Sequence, residues 1–408
     1  MSGEIYFDNN ATTQVLPEVV EAMMPFYTEQ YGNPSSIHRF GNQVGARIAE
    51  ARTQVAALIG AADPVEVIFT SSGTEGDNAA IRGMLEARPD KRHIVTTRVE
   101  HSAVLGLCQH LEKKGYHVTW LGVDSEGGLD LDELRAALTD DTAVVSIMWA
   151  NNETGVIFPI EQIGAIVRSK GIPFHVDAVQ AAGRLPLAVK DLPVDLLTIS
   201  GHKFYAPKGI GALYVRRGIS FPPFMIGGHQ ERNRRAGTEN VAGIIGMGKA
   251  AAIAVSRMAE DSARVGRLRD LLETLLLESC PESRVNGRGQ PRLPNTSNIS
   301  FRYLEGDSIL VLLDQQGICA STGSACTAGS SDPSHVLRAM KVPADWLQGA
   351  IRFSLGRFNT EKEVRYVNQR VPAIVQRLQG LSALGKLGSK QEPQTGRRAT
   401  TAAGGVRE

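Results

Sequence analysis

The chain has 408 residues, 42% hydrophobic and 21% charged, a soluble globular composition on a length too great for one comfortable core, so two domains are expected. With 44 Lys and Arg against 43 Asp and Glu, the formal charge of +1 offers no net field to recruit nucleic acid or an anionic membrane; a small-molecule partner is the expectation. Cys108, Cys280, Cys319 and Cys326 form no C-x-x-C pair, which argues against a disulfide framework or a zinc knuckle, so each thiol is judged alone and taken as reduced.

The opening 1-MSGEIYFDNNATT-13 is acidic and polar where a secretory signal needs a basic patch and an apolar run. No uninterrupted apolar stretch reads as a membrane span, and a cytoplasmic location is expected. A helical pattern follows over 41–60. Short β-rich runs then recur at 65–70, 93–97, 117–121, 143–149, 173–177, 194–200 and 210–215, with helical patterns such as 130–138 between them. That alternation predicts an α/β fold with a mostly parallel, seven-stranded sheet covered by helices on both faces. Ligands of such sheets sit beyond the carboxyl ends of the strands, so chemistry is sought there. After residue 260 a charged amphipathic helix (260–279) and shorter strands near 297–303 predict a smaller α+β domain. The division expected is 16–260 for the large domain, 1–15 with 261–382 for the small one, and an unstructured Gly- and Thr-rich tail at 383–408.

Strand ends supply the candidates. The run 69-FTSSGTEGDNAAIRG-83 leaves a strand through small residues and opens a helix near Thr74, a phosphate-binding arrangement without the Lys of a Walker loop. His101 in 98-RVEHSAVL-105 and Asn152 in 147-IMWANNETG-155 follow two further strands, His101 as a candidate catalytic group for ring stacking or acid–base work, although a histidine in a capped turn is more often structural. In 173-PFHVDAVQ-180, Asp177 ends a strand with Gln180 three residues on; alone, that Asp reads as a helix cap. In 194-VDLLTISGHKFYAPKG-209 an apolar strand runs into Ser200, His202 and Lys203. A lysine there is placed for imine chemistry with a carbonyl cofactor, although alone it reads as a side chain snorkelling off a strand. An Asp about 26 residues earlier, on the preceding strand, suits a protonated pyridine nitrogen. The glycines of 243-GIIGMGKA-250 match nucleotide motifs weakly and read better as close helix packing. Cys319 ends an apolar run and is expected to be a buried structural thiol. Cys326, by contrast, lies in the polar 321-STGSACTAGS-330, where reactivity explains a cysteine better than packing. Arg352 in 350-AIRFSLGRF-358 is suited either to a substrate carboxylate or to a plain ion pair.

Taken together, 6-YFDNNATT-13, 31-YGNPSSIH-38, SSGTE, EHSAV, ANNETG, HVDAVQ, SGHK, 234-RRAGTEN-240 and GSACTAG resemble the class V, pyridoxal 5′-phosphate-dependent cysteine desulfurases up to about residue 380. The phrases MWANNETG and GGHQERNRRAGTEN are most similar to the nitrogen-fixation type, with a housekeeping iron–sulfur desulfurase or a selenocysteine lyase as neighbouring readings. The resemblance implies a homodimer of the class V aminotransferase fold. It implies the cofactor as an imine on Lys203, Asp177 at the pyridine nitrogen, Gln180 at the ring oxygen and His101 stacked on the ring. Gly73, Thr74, Ser200 and His202 would hold the phosphate, with Thr238 reaching over from the second subunit. Asn152, counted also among the cofactor contacts, and Arg352 would hold the substrate carboxylate. L-cysteine would become L-alanine, with Lys203 moving protons and Cys326 taking the sulfur as a persulfide for an iron–sulfur scaffold protein. No intrinsic metal is implied, Cys326 serving only as a transient ligand of a nascent cluster. Thr322 stands where the family pattern has Ser. A sulfur carrier that uses Cys326 without a cofactor is the reading from another class.

Overall fold

The computed structural model describes residues 3–323 and 333–381; Cys326 and the tail expected at 383–408 lie outside the described residues. In chain order the strands are β1 (Ile5–Tyr6), β2 (Val67–Thr70), β3 (His93–Thr97), β4 (His117–Leu121), β5 (Thr142–Met148) and β6 (Phe174–Asp177). There follow β7 (Leu196–Ser200), β8 (Gly211–Val215), β9 (Ser283–Val285), β10 (Thr296–Phe301), β11 (Ile318–Cys319) and β12 (Ala350–Ser354). A seven-stranded sheet in the order β2-β8-β7-β6-β5-β3-β4 forms the centre. It is parallel except for β8, which runs antiparallel to both neighbours.

The seven strands coincide with the seven β-rich runs to within a residue or two, because each is short, apolar and bounded by turn-forming residues. Every residue of β5, β6 and β7 is buried, as strands covered on both faces require. Strand alternation then sends neighbours to opposite cores: Phe69, Val95, Val145 and Leu197 to one face, Ile68, Ile94, Val144 and Leu196 to the other. A third core joins Ile5 and Phe7 to β10, β12 and the helices Gly306–Asp314 and Glu361–Leu381. Around it lie a three-stranded sheet, β12-β10-β9, and the parallel pair of β1 with β11.

The amphipathic helix expected from residue 260 is instead the second half of one 39-residue helix, Val241–Ser279. Ile244 to Ala254 pack in the central core and Val265 to Leu276 in the third, so a single rod crosses the boundary expected at 260. Its first half carries glycines where the helix Arg39–Ile59 comes close: a Cβ at Gly248 would lie 2.6 Å from the Ala51 Cα. The close-packing reading of 243-GIIGMGKA-250 therefore holds. By composition this helix is apolar enough over one window to cross a membrane, with mean hydropathy 1.4, yet the window is interrupted by Lys249 and 56% of it is buried in the fold. It is a core helix. Cys319 is also corrected, being only half-buried on the two-residue β11, whereas Cys108 and Cys280 are buried.

Candidate active site

The parallel strands bring their following residues to one edge. Asp177 closes β6 and lies in register with Thr198 of β7, three residues before the short 3₁₀ turn Gly201–Lys203. The turn aims the Lys203 Nζ at the carbonyls of Asn10 (2.6 Å) and Ala11 (2.8 Å). Two strands away, Ser72 caps the helix Gly73–Ala87, accepting from the Glu75 N–H at 3.2 Å and leaving the amides of Gly73 and Thr74 directed out of the helix start. Gly73 has no room for a side chain: a Cβ would sit 2.9 Å from Val179 Cγ2 and 3.5 Å from Ser200 Cβ. The helix start is therefore pressed against the residues that leave β6 and β7.

His101 caps the helix Ser102–Lys113, its Nδ1 accepting from the Ala103 N–H at 3.2 Å, which puts the ring proton on Nε2. Asn152 joins the others through its carbonyl, which accepts from Asn10 Nδ2 and Arg352 Nη1, both at 3.1 Å. Arg352 is buried on β12 and also pairs with Asp8 at 2.7 Å, so the plain ion pair foreseen for it is present, although in the interior and not on the surface. Asp177 likewise shows part of its capping character, Oδ1 accepting from the Val179 N–H at 2.9 Å.

Charge is concentrated at this edge. Burial raises the pKa of Asp177 while His101 and Lys203 pull it down. Burial, then Lys203, Lys208 and His101, lower His202 to about 4, which leaves it neutral near pH 7. Glu100 is fully buried and raised to about 8 by burial, even though Thr97 Oγ1 and the Met148 N–H donate to it. Asp77, buried below the phosphate-type helix start, is also raised by burial and by Asp177.

Gln180 Nε2 donates to the Asn10 carbonyl at 3.1 Å, so Lys203, Asp177, Gln180, Gly73, Ser200, His202, His101, Asn152 and Arg352 meet directly, through Asn10 or through mutual electrostatics. Thr74 is exposed at the helix start. Thr238 is exposed too, on a segment whose base is tied down twice. Arg235 forks onto Glu75 at 2.8 and 3.1 Å, and Glu231 forks onto Arg52 at 2.6 and 2.8 Å. Glu231, Arg232 and Asn233 hold left-handed φ values of 45, 58 and 64°, a strain that such anchoring sustains. Sequence reasoning missed Asn10, Glu75, Glu100 and Arg184. Asn10, Glu75 and Glu100 stood inside quoted motifs, but only the fold shows what they touch.

The edge defines a class of protein. A lysine amine, a buried carboxylate and a helix start lie together at the carboxyl ends of a mostly parallel sheet, and the chain matches the family Aminotransferase class-V over residues 5–367. It belongs to that family of pyridoxal-phosphate-dependent enzymes. Among its relatives, a cysteine desulfurase of a Nostoc species is 60% identical over 378 residues, covering 93% of this chain and 94% of that protein. Cysteine desulfurase NifS of Azotobacter vinelandii is 52% identical over 379 residues, covering 93% and 94%. A solved NifS-like protein superposes with a TM-score of 0.86 at 40% identity, covering 92% of this chain and all of that one. A solved structure titled SspA in complex with cysteine gives 0.77 at 33%, covering 87% and 100%.

Proposed function

We propose that this chain is a cysteine desulfurase that converts L-cysteine to L-alanine and passes the sulfur, by way of a persulfide on Cys326, into iron–sulfur cluster assembly, with nitrogenase clusters as the destination. The observation that carries this reading is the convergence of Lys203, Asp177 and the Gly73 helix start in a chain so close to proteins named cysteine desulfurase. The residues fit pyridoxal phosphate. With no side chain at Gly73 the helix start packs against Val179 and Ser200, and its backbone amides, with Ser200 and neutral His202 beside them, would hold the phosphate. When bound, the cofactor supplies an electron sink that weakens bonds at the substrate α-carbon.

The chain's own groups do the rest. Lys203 anchors the cofactor and moves the α-proton; the carbonyls of Asn10 and Ala11 hold its amine in place meanwhile. With the cofactor bound, Asp177 would face the ring nitrogen, His101 would cover the ring and Gln180 would donate to its oxygen. Asn152 and Arg352 take the substrate carboxylate, Arg352 sharing its fork with Asp8. Cys326 as thiolate attacks the substrate sulfur: the S–S bond forms as the substrate Cβ–S bond breaks, its electron pair stays with the three-carbon fragment, and protonation of that fragment gives alanine. A homodimer, with Thr238 completing the partner site, is supported by the exposed Met24, Tyr27, Tyr31, Ile37 and Ile226. A cytoplasmic location and a scaffold protein as sulfur acceptor complete the proposal.

Mass spectrometry after incubation with pyridoxal phosphate and L-cysteine tests it. Alanine should appear, with added sulfur on Cys326; Cys326→Ala should keep the cofactor's visible absorbance and form neither product. Sulfur on Cys108, Cys280 or Cys319 instead would overturn the assignment. Burial raises the pKa of all three of those thiols, to about 12 for Cys108 and about 11 for Cys280.

A further inference from the structure

Arg184 lies one turn beyond Gln180 and contacts the site from behind. Its Nη1 donates to the Gln180 side-chain Oε1 at 2.7 Å and to the Gln180 carbonyl at 2.8 Å. Its Nη2 donates to the carbonyls of Asn9 and Lys203, both at 3.3 Å. Guanidinium has donors only. The oxygen of the Gln180 amide must therefore face Arg184, and the amide nitrogen faces the site, where Nε2 donates to the Asn10 carbonyl at 3.1 Å. The same cation grips the main chain of Lys203, and Ser262 Oγ pins the Arg184 carbonyl to the long helix at 2.9 Å. All four acceptors are neutral, and the nearby Asp261 is engaged by Arg357 at 2.7 Å. Among the described residues no carboxylate pairs with Arg184, so it adds a positive charge behind the site, and burial lowers its pKa only to about 10, so it stays charged at neutral pH.

We propose that Arg184 is a positioning residue of the desulfurase reaction: it fixes the Gln180 amide so that only an N–H faces the cofactor's ring oxygen, and it holds the Lys203 main chain beneath the amine. The inference rests on the function proposed above. Without Arg184 the amide is free to turn its oxygen inward, where it repels an anionic ring oxygen. The protonated form of the bound cofactor then persists to higher pH.

The measurement is a pH titration of the visible absorbance of protein loaded with pyridoxal phosphate, with a melting curve for each variant. Arg184→Met should raise the titration midpoint by roughly one unit. Arg184→Lys, which keeps charge but cannot fork, should raise it by less while preserving the fold. In a Gln180→Met background the same Arg184 changes should add little, since the path through the amide is already cut. An unchanged midpoint in folded Arg184→Lys and Arg184→Met overturns the inference, as does an equal shift in both backgrounds, which marks action by charge alone. If wild-type protein gains no visible absorbance that Lys203→Ala abolishes, the cofactor reading itself fails, and this inference with it.

Discussion

Glu100 shows how far a single side chain can depart from its usual behaviour. It sits between the ends of β3 and β5, wholly buried, bonded to Thr97 Oγ1 at 2.7 Å and to the Met148 N–H. Those bonds favour the carboxylate, but burial outweighs them and raises the pKa from 4.5 to about 8. The folded state therefore binds more protons at this position than the unfolded state between pH 4.5 and about 8. The stability contributed by this group is full below about 4.5 and is lost as pH rises through about 8. Gln has no proton to lose in this range and keeps an oxygen for the Met148 N–H. Thermal melts of wild type and Glu100→Gln at pH 5 and pH 8 should show the wild type losing ground to the variant on alkalisation. A constant difference would mean that Glu100 is ionised throughout. Nothing in 98-RVEHSAVL-105 announces this, because desolvation depends on what covers a residue and not on its neighbours in the chain.

At the level of elements, glycines in the long helix separate propensity from packing. Replacing a mid-helix Gly by Ala ordinarily gains about 1 kcal/mol. At Gly266 the nearest atom to a new Cβ is Pro294 Cβ at 3.7 Å, an ordinary contact, so Gly266→Ala should stabilise by about 0.5–1 kcal/mol. At Gly248 the Cβ meets the Ala51 backbone at 2.6 Å. Backbone cannot swing aside, and the overpacking cost of roughly 1–3 kcal/mol outweighs the propensity gain. Gly248→Ala should therefore destabilise; urea unfolding of the two variants gives the signs directly. If both stabilise, the helices Arg39–Ile59 and Val241–Ser279 are less closely packed than the 2.6 Å approach at Gly248 requires. The sequence reading recognised the small-residue stripe but began the helix at 260. Its hydrophobic first half has no polar face to mark a period, because it is buried nearly all round.

For the whole molecule, the exposed apolar residues of 24–40 and 224–226 are the feature a lone chain does not explain. Ile37 is 96% exposed, Ile226 87% and Tyr31 70%. Such residues in a soluble chain call for a cover. Sedimentation should give a particle of two chains, and Ile37→Lys with Ile226→Lys should shift it towards one. If the proposed reach of Thr238 is right, the same double variant should also bind pyridoxal phosphate more weakly. A wild-type monomer would remove the cross-subunit part of the proposal.

The sequence by itself determined the alternation of strands and helices, the seven strands of the main sheet, and the chemical types at the strand ends. Those signals are local: apolar runs, turn residues and motifs occupy a few consecutive positions each. Only the tertiary structure decided that Asn10, at the far end of the chain, bridges Lys203, Gln180 and Asn152, that Arg352 pairs with Asp8, and that Arg184 grips Gln180 and Lys203 from behind. It also decided which carboxyls burial pushes above their usual range. Hydrogen bonding and desolvation act over a few ångströms of space, and residues that far apart in the chain become neighbours only when the sheet order and the long helix have set them there.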